Sequence, residues 1–389
     1  MVDEDVDSKT TTFLPLPVVD GAKLTYERFL REFALPKQPC IITNLGRDWA
    51  ARHWSPEYFL AHTGVNLEHE VSMGDGPYGK AREVETTVGD ALRCVTASID
   101  DGKPTYLSAW DYVRGGSTAL ADDFAVPDLF DRAPPWLSSH PVMGNATVDM
   151  RWLYVGTRGS GSSTHVDTNL SSAWLWVASG RKEWICAHGD DHELLAGCVY
   201  GGGSSDYGDE SPLPDLFASD LFERWPHARS ARLFHGFQEA GDICFNPSCC
   251  VHAVRNVGRP GDFAVSLTHN FVDASNVADV LRDAVRSLRD ELLPMAQELK
   301  PKSVLKTISK ALHIKRPELV RTLAALPELM SDEHIDEIVR AAAAVEVEPD
   351  AAMAVELLLR AHLERSLREV RPAFSEAATL LRRTLAIEL

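Results

Sequence analysis

The sequence predicts a mainly β protein whose core is a jelly-roll, or cupin-like, barrel, with a helical region after it. Short extended apolar segments separated by turn-rich stretches dominate between about residues 152 and 272, a pattern typical of this fold. From residue 277 onward, apolar residues recur at helical spacing instead. The predicted strands are Trp152–Val155, Ala173–Val177, Lys182–Cys186, Asp242–Phe245, Val251–Val257 and Phe263–Phe271.

The chain is expected to have three regions. Residues 1–12 are polar and are predicted to be disordered. Residues 13–274 are predicted to form the barrel together with an N-terminal elaboration, and residues 275–389 the C-terminal helical region. A glycine-rich stretch, Tyr200–Pro212, fits no phosphate-loop pattern and is predicted to be a mobile flap. The elaboration is predicted to contain a helix at Thr25–Phe33, a strand at Pro39–Thr43 and a helix at Ser55–His62.

The C-terminal region has the pattern of several amphipathic helices. Pro317, Pro349 and Pro372 are predicted to open helices as first-turn prolines, and Ser331 is predicted to cap another helix. The apolar faces need a partner, which is either the barrel or a second copy of the chain. The region is therefore expected to frame a substrate or to form a homodimer. The apolar positions at helical spacing are Val277, Leu281, Val285, Leu288 and Leu292.

Composition places the chain among ordinary globular proteins, with 389 residues, 44% hydrophobic and 25% charged. No apolar run approaches the roughly 18 residues of a membrane span, and the start lacks a basic signal-peptide region. We therefore expect an intracellular protein of the cytoplasm or nucleus, with no membrane partner. Seven cysteines without a CxxC pair fit a reducing compartment. The net charge of −18 disfavours non-specific nucleic-acid binding and favours a cationic partner, although solubility alone also explains it.

Four His-x-Asp/Glu pairs occur, and such a pair supplies two of the ligands that hold non-haem iron(II) on one face. They are His165/Asp167, His188/Asp190, His334/Asp336 and His362/Glu364. Positions i and i+2 point about 200° apart on a helix but share a face on a strand. The last two pairs lie in helical segments, where we expect solvated side chains, and the second lies in a predicted turn. Only the first pair leads from a glycine-serine loop towards an extended apolar segment, so it is the predicted metal site.

The third ligand is predicted at His252, 85 residues beyond Asp167. On the strand that contains it, His252, Val254 and Asn256 share one face. The nearby Cys249 and Cys250, together with Cys244, raise the alternative of a zinc site or a zinc-dependent hydrolase. Adjacent thiols on a strand point to opposite faces, which disfavours that alternative.

Alternation along the strand at residues 263–271 predicts a polar interior face. Antiparallel strands with polar residues on one side commonly turn that side to water. Here the other side is apolar enough to pack under helices, so the polar side is predicted to line a cavity. The polar set is Ser266, Thr268 and Asn270, and the apolar set is Val265, Leu267 and Phe271.

Lys182 stands at the start of a strand after a glycine turn, where an isolated lysine is normally a surface charge. Beside an iron site it has a second use. An ammonium inside a barrel holds the distal carboxylate of a dicarboxylic cosubstrate, because charge-assisted hydrogen bonds are about twice as strong as neutral ones. A hydroxyl of Thr268 or Tyr106 completes such a clamp.

Together these segments resemble the Jumonji C family of iron(II)/2-oxoglutarate oxygenases, especially its smaller hydroxylases. The resemblance covers roughly residues 103–272 in the family's order, and the combination is specific although each piece is weak alone. It implies a double-stranded β-helix fold. The matching segments are Arg151–Gly156, Gly159–Asp167, Ser172–Trp174, Gly180–Trp184, Phe245–Asn256 and Leu267–Phe271.

The resemblance also implies roles for individual residues. One position departs from the family pattern: Leu175 stands where close relatives have an asparagine that faces the cosubstrate, which puts cosubstrate packing and turnover in question. The implied iron ligands are His165, Asp167 and His252. The residues implied to surround 2-oxoglutarate are Lys182, Thr268, Tyr106, Ser162 and Asn256.

The function implied is oxidation of a substrate with iron(II), 2-oxoglutarate and O2, giving succinate and carbon dioxide. The substrate is expected to be a protein side chain, which is hydroxylated or demethylated by the same chemistry, with a small molecule or a tRNA as alternatives. A basic protein fits the acidic body of the chain. The contrasting hypothesis, which Leu175 supports, is a cupin-like binding or scaffold protein that retains metal but has little turnover.

Overall fold

Two β-sheets face each other and enclose the barrel interior in the structure, a computed structural model that describes residues 13–138, 150–195, 213–287 and 329–385. The barrel predicted from the strand pattern is confirmed. The polar N-terminal residues and the glycine-rich stretch Tyr200–Pro212 lie outside the described residues. So do Leu288, Leu292 and Pro317 of the C-terminal pattern.

The smaller sheet has five strands and carries the predicted metal ligands at one edge. In the order in which they lie side by side, the strands are β1 (Leu14–Pro15), β11 (Leu233–Glu239), β10 (Arg181–Ala187), β13 (His252–Val257) and β8 (Gly161–His165). Strands β1 and β11 pair in parallel, and the other neighbouring strands of this sheet pair antiparallel.

The larger sheet has nine strands and extends beyond the barrel at one end. The strands are, side by side, β2 (Val18–Asp20), β3 (Cys40–Thr43), β12 (Ile243–Asn246), β9 (Ser172–Ser179), β14 (Phe263–Phe271), β7 (Arg151–Thr157), β6 (Thr105–Trp110), β4 (Glu70–Asp75) and β5 (Arg82–Thr87). Among the described strands of this sheet, only β2 and β3 pair in parallel.

All six strands predicted between residues 152 and 272 are present, within a few residues of their predicted ends. The strand at Pro39–Thr43 is also confirmed, as β3. The hairpin of β4 and β5 was missed because its sequence, which includes Arg82-Glu-Val-Glu-Thr-Thr, is mostly polar and mostly accessible. Val71 and Met73 of β4 do alternate as buried apolar residues, but two such positions make a short signal, and β5 has no buried apolar face to extend it.

Helices lie before the barrel and after it, and short 3-10 turns connect several strands. The helix predicted from Thr25 begins there and continues as a π-helical turn, Leu30–Ala34. The helices are α1 (Tyr26–Phe29), α2 (Pro56–Ala61), α3 (Val88–Asp101), α4 (Pro135–Ser138), α5 (Leu221–Arg224), α6 (Val277–Ser287), α7 (Asp332–Ala343) and α8 (Pro349–Leu385). The 3-10 turns are Gly21–Lys23, Ala50–His53, Thr118–Asp123, Thr168–Leu170, Gly189–Leu194 and Pro226–Ser230.

Helix capping follows the sequence signals. The Ser55 hydroxyl accepts a hydrogen bond from the Tyr58 amide, with Pro56 in the first turn of α2. The Ser331 hydroxyl accepts one from the His334 amide at the start of α7, as predicted. Each cap satisfies an amide that the helix leaves unpaired, a contribution of about 1 kcal/mol.

The buried apolar residues form three clusters, each on a different side of the sheets. One lies inside the barrel and takes residues from both sheets, including Leu175, Trp184 and Val254. The largest lies on the outer face of the nine-stranded sheet and includes Trp174 and Trp176. The third covers the outer face of the five-stranded sheet with Ile185, Ala253 and parts of residues 213–233. Trp174 and Trp176 are therefore core residues rather than pocket residues.

The C-terminal helices pack on other parts of the same chain. Their apolar residues belong to the same cluster as Val265 and Leu267 of β14, whose apolar side is thus covered as predicted. Within this cluster, α8 contacts α1, α6 and α7. The division of the chain at residue 275 remains a prediction. The helical residues of this cluster are Val277, Leu281, Val285, Ile335, Ile338, Val339, Val355, Leu359, Leu363, Leu367 and Val370.

Two expectations for this region were wrong. Pro349 opens α8 as predicted, but Pro372 lies inside the same 37-residue helix instead of starting a new one. His334 and His362 lie on helices as expected, yet His362 is only 8% exposed. Its burial lowers the pKa of the imidazole. His334 is also not a purely solvated side chain, because its ring packs edge-on against Trp136 at 5.0 Å between centroids.

Among the described helices, none has a stretch both long and apolar enough to cross a membrane.

Replacing Leu359 with alanine is expected to lower the free energy of unfolding by about 2 to 5 kcal/mol, because its buried side chain joins α8 to the core. Leu357→Ala on the same helix is the control: Leu357 is 62% exposed, so a change within about 0.5 kcal/mol is expected. Urea unfolding followed by circular dichroism measures both. Equal effects would contradict the packing of α8 on the core.

Candidate metal and cosubstrate site

The pairing of β8 with β13 brings two of the predicted ligands together. His165, the last residue of β8, lies directly opposite His252, the first residue of β13. The next pair joins Ser162 with Val254, so three residue steps on β8 match two on β13. This bulge adds one residue to β8, and it lets both Ser162 and His165 point into the barrel. The two imidazole ring centroids are 4.2 Å apart.

Asp167 lies just beyond β8, in extended backbone with φ −63° and ψ 149°. Extended backbone preserves the two-residue alternation, so Asp167 faces the same way as His165 although the strand itself has ended. Val166 between them packs on the opposite side, against the outer cluster of the five-stranded sheet. The same-face argument made from the sequence therefore holds, while the expectation that a strand carries both residues is corrected.

The connector after Asp167 is held by two serine hydroxyls. Ser171 donates a hydrogen bond to the carbonyl of Thr168 at 2.7 Å, and Ser248 donates to that of Leu170 at 2.6 Å. Sequence reasoning did not find these two residues. Both hydroxyls bond backbone carbonyls, one of them 78 positions away, and neither pattern leaves a local sequence signal.

Backbone carbonyls fix the tautomer of both histidines. His165 Nδ1 lies 2.7 Å from the carbonyl of Ser163, and His252 Nδ1 lies 2.9 Å from that of Cys250. A carbonyl only accepts, so each neutral ring carries its proton on Nδ1 and keeps the Nε2 lone pair for another partner. Such outer hydrogen bonds orient metal-binding histidines in proteins.

One ligand atom from each of His165, Asp167 and His252 lies within 4.8 Å of the others, close enough for the three to hold one metal ion. The carboxylate atom Oδ2 of Asp167 is buried and has no hydrogen-bond partner. Among the described residues, this is the one group of three His, Cys, Asp or Glu side chains that meets this spacing. The rival pairs and the cysteines near His252 do not form such a group, so the donor set is the two-imidazole, one-carboxylate set suited to iron(II).

Lys182 is completely buried inside the barrel. It lies opposite Asn256 on β13, and its Nζ donates to Asn256 Oδ1 at 2.9 Å. Asn256 in turn donates to the Ser160 hydroxyl at 3.1 Å. Burial lowers the pKa of the Lys182 ammonium to about 7. No carboxylate among the described residues pairs with it, so the ordinary interpretation of this lysine as a surface charge is excluded.

Two tyrosines stand beside the lysine. The Tyr106 ring centre is 5.6 Å from Lys182 Nζ, and its hydroxyl lies 3.4 Å from the Ser162 hydroxyl. Tyr154 stacks on Tyr106 with centroids 5.8 Å apart. Burial raises the pKa of Tyr106, and burial together with the nearby Tyr106 and Asp167 raises the pKa of Tyr154. Both phenols therefore stay protonated as hydrogen-bond donors at neutral pH.

The polar face of β14 lines the interior as predicted. The side-chain oxygens of Ser266 and Thr268, and Oδ1 of Asn270, are buried and have no hydrogen-bond partner. Leu175 pairs with Thr268 across β9 and β14 and is 6% exposed, so it faces the same space. A buried hydroxyl without a partner costs about 1 to 3 kcal/mol. Several such atoms together indicate a polar ligand.

The residues present fit both an iron ion and a dicarboxylate. The orphaned Asp167 oxygen and the two free Nε2 atoms fit a cation, whereas the unmatched ammonium and orphaned hydroxyls fit an anion. His252 and Asn256 lie four residues apart on one face of β13, so the two places are roughly 13 Å apart along the strand, and the long lysine side chain shortens the gap.

Comparison with known proteins identifies a matching family and several relatives. A family model described as a cupin-like domain matches residues 26–276. Human 2-oxoglutarate and iron-dependent oxygenase JMJD4 is 26% identical over 299 residues, which cover 72% of this chain and 66% of the relative. Arginine-specific demethylase JMJ20 of Arabidopsis thaliana is 23% identical over 287 residues, which cover 67% and 58% respectively.

A third relative carries two activities in its name. Bifunctional arginine demethylase and lysyl-hydroxylase psr-1 of Caenorhabditis elegans is 24% identical over 314 residues, which cover 80% of this chain and 71% of the relative. For several relatives the alignment spans only about half to two thirds of their length, at 58%, 46% and 63%. The resemblance to Jumonji C oxygenases inferred from the motifs is confirmed.

Asp167→Ala is expected to weaken manganese(II) binding at least about tenfold, because it removes one of three ligands. Asp190→Ala is the matched control: it removes the carboxylate of a rival motif, which is 60% exposed, and is expected to leave affinity unchanged. Isothermal titration calorimetry measures both. Unchanged affinity in Asp167→Ala would remove this site from consideration.

Proposed function

The chain belongs to the cupin-like domain family, which includes the Jumonji C oxygenases, and we propose that it is an iron(II)- and 2-oxoglutarate-dependent oxygenase acting on a protein side chain. One observation carries this proposal: a three-ligand cluster and an unmatched buried ammonium face the same barrel interior. A purely structural metal site does not require a buried ammonium. An enzyme that binds a dicarboxylic cosubstrate beside its metal needs both.

In this proposal, His165, Asp167 and His252 would hold iron(II). The metal would supply the oxidation, in which one atom of dioxygen enters a substrate C–H bond while 2-oxoglutarate takes the other and is converted to succinate and carbon dioxide. The carbonyls of Ser163 and Cys250 keep both imidazoles in the tautomer that binds metal.

Lys182 is proposed to hold the distal carboxylate of 2-oxoglutarate. One of its three protons is used by Asn256, which leaves two for the ligand. The Thr268 hydroxyl has no partner, and with the Tyr106 hydroxyl it is proposed to complete the clamp. The apolar neighbours Leu175 and Trp184 exclude water from this end, which strengthens each charged hydrogen bond.

The substrate is proposed to be a basic side chain of a protein. The relatives described above are named for arginine demethylation and lysyl hydroxylation. The net charge of −18 favours a cationic partner. Hydroxylation of an N-methyl group followed by loss of formaldehyde is demethylation, so one site geometry serves both reactions. An intracellular location and a homodimer through the C-terminal helices stay predictions. Val347, just before α8, and Met353 and Leu357 on α8 are exposed apolar residues in this region.

Leu175 favours a second candidate, a barrel that keeps the metal but does not turn over. Its side chain places apolar surface opposite Thr268, where the family pattern has a polar group. Turnover distinguishes the candidates, because only the oxygenase converts 2-oxoglutarate to succinate. Succinate release that depends on iron(II) supports the oxygenase, whereas metal binding without any 2-oxoglutarate binding supports the scaffold.

Lys182→Ala is expected to raise the dissociation constant of 2-oxoglutarate at least about tenfold, because charge-assisted hydrogen bonds are lost, while manganese(II) affinity is retained. The matched control is Arg181→Ala: the neighbouring arginine is 43% exposed and pairs with Glu239 outside the barrel. Titration calorimetry with manganese(II) present measures both variants. An unchanged constant in Lys182→Ala would refute the clamp.

Binding of 2-oxoglutarate at pH 8 is expected to take up about one proton. The pKa of Lys182 is lowered to about 7 by burial, so the free protein holds a mostly neutral amine at pH 8. A bound carboxylate favours the ammonium and draws a proton from the buffer. The same titration in buffers of different ionisation enthalpy measures this uptake. It should disappear in Lys182→Met and fade below about pH 6.

A further inference from the structure

A cavity of about 520 Å³ lies outside the barrel, on the part of the nine-stranded sheet formed by β4, β5 and β6. Its volume is in the range of ordinary ligand sites. The polar residues that line it are His69, Glu70, Ser72, Glu85, Asp111 and Arg114. Neither the metal site nor the cosubstrate pocket uses any of them.

The cavity lies on the same face of the sheet as the barrel interior. Gly74 of β4 pairs with Tyr106 of β6, and Tyr106 points to Lys182 inside the barrel. Directly opposed residues share a face, and so do alternate residues of one strand. Glu70 and Ser72 therefore face the same side as Tyr106, and Glu85 joins them because it pairs with Ser72.

The cavity also lies at the end of the barrel that carries the metal ligands. β7 begins at Arg151 near the metal ligands and runs to the opposite end of the barrel. β8 then runs back and ends at the ligand His165. Trp110, at the end of β6, pairs with Leu153 near the start of β7, so Asp111 follows at the metal end. β4 is two strand spacings, about 10 Å, from β7, and the metal ligands lie on the facing sheet, roughly another 10 Å away; an extended peptide spans this distance with about four or five residues.

Charge at the cavity is unbalanced. The carboxylates of Glu70 and Glu85 line the cavity beside the Arg114 guanidinium and the His69 ring. Asp111, also in the lining, has other partners, and one of its oxygens accepts a hydrogen bond from the Arg114 backbone amide at 3.0 Å. No ion pair joins Glu70 or Glu85 to another described residue, and both are exposed. Like charges on neighbouring strands of one face repel, so a cation at this place is favourable.

The Ser72 hydroxyl oxygen gives independent support. It lines the cavity, is buried and has no hydrogen-bond partner. A buried acceptor of this kind lacks a donor, which a ligand ammonium or guanidinium supplies. A divalent metal is not the fitting cation, because within the described part of the chain only the His165 cluster brings three metal-binding side chains close enough together.

We propose that this cavity binds a protonated lysine or arginine side chain of the protein substrate, a few residues from the side chain that is oxidised. The proposal rests on the proposed function, since it assumes that a peptide lies across the barrel mouth. Glu70 and Glu85 provide the charge, and Ser72 accepts one hydrogen bond from the ligand. Choice of substrate then depends on a flanking basic residue as well as on the reacting one.

The test uses the full chain and a fluorescein-labelled Gly-Ser peptide that contains two lysines, with norleucine replacing both in the control peptide. The double variant Glu70→Gln/Glu85→Gln is expected to weaken binding of the lysine peptide about tenfold in anisotropy titrations at about 50 mM salt. Glu364→Gln/Glu369→Gln removes the same charge from exposed positions of α8 and is the matched control. It is expected to bind as the wild type does.

An equal loss in both double variants would show general attraction to an acidic protein and would overturn the proposal. So would equal binding of the lysine and norleucine peptides by the wild type. Binding of 2-oxoglutarate with manganese(II), measured on the same samples, separates this outcome from failure of the oxygenase assignment. The cavity variants leave that binding unchanged, because no cavity residue contacts the cosubstrate pocket.

Discussion

The antiparallel contact between β8 and β13 is the constraint on which the site depends. It sets His165 opposite His252, and its bulge turns Ser162 and His165 to the same side. β13 also pairs with β10 and thereby places Asn256 beside Lys182. One strand therefore connects both halves of the site, and a slip of β13 by one residue would turn His252 and Asn256 outward.

Burying polar groups inside the barrel lowers the stability of the fold, and the apolar clusters on the outer faces offset this loss. A buried ammonium without a carboxylate, together with orphaned hydroxyls on β14, destabilises the fold when no ligand is bound. The apolar side of β14 packs under a layer of helices and aromatic rings that includes Trp174 and Phe245. The outer face of the sheet thus stabilises the fold through buried apolar contacts, to which the C-terminal helices contribute. The inner face carries the polar groups of the site.

Period-2 patterns predicted the barrel strands and the two faces of β14, because alternation is a local property. The choice of His165 over its rivals rested on strand placement, which the structure supports through extended backbone at Asp167. The bulge in β8 depends on a partner strand distant in sequence and left no signal. Pro372 was misjudged because a proline costs a helix about 3 kcal/mol. In a helix as long as α8, packing of residues such as Leu363 outweighs that loss.

β8 is the last strand of its sheet among the described strands, so its main chain is paired on one side only. Edge strands of this kind open more easily than central ones, and backbone amides report this as weak protection against hydrogen exchange. In this protein the fraying strand ends at His165, and the metal would tie it to His252 on the neighbouring strand. Loading the metal would therefore also be a local folding step, in which an ion fastens an edge strand to its neighbour.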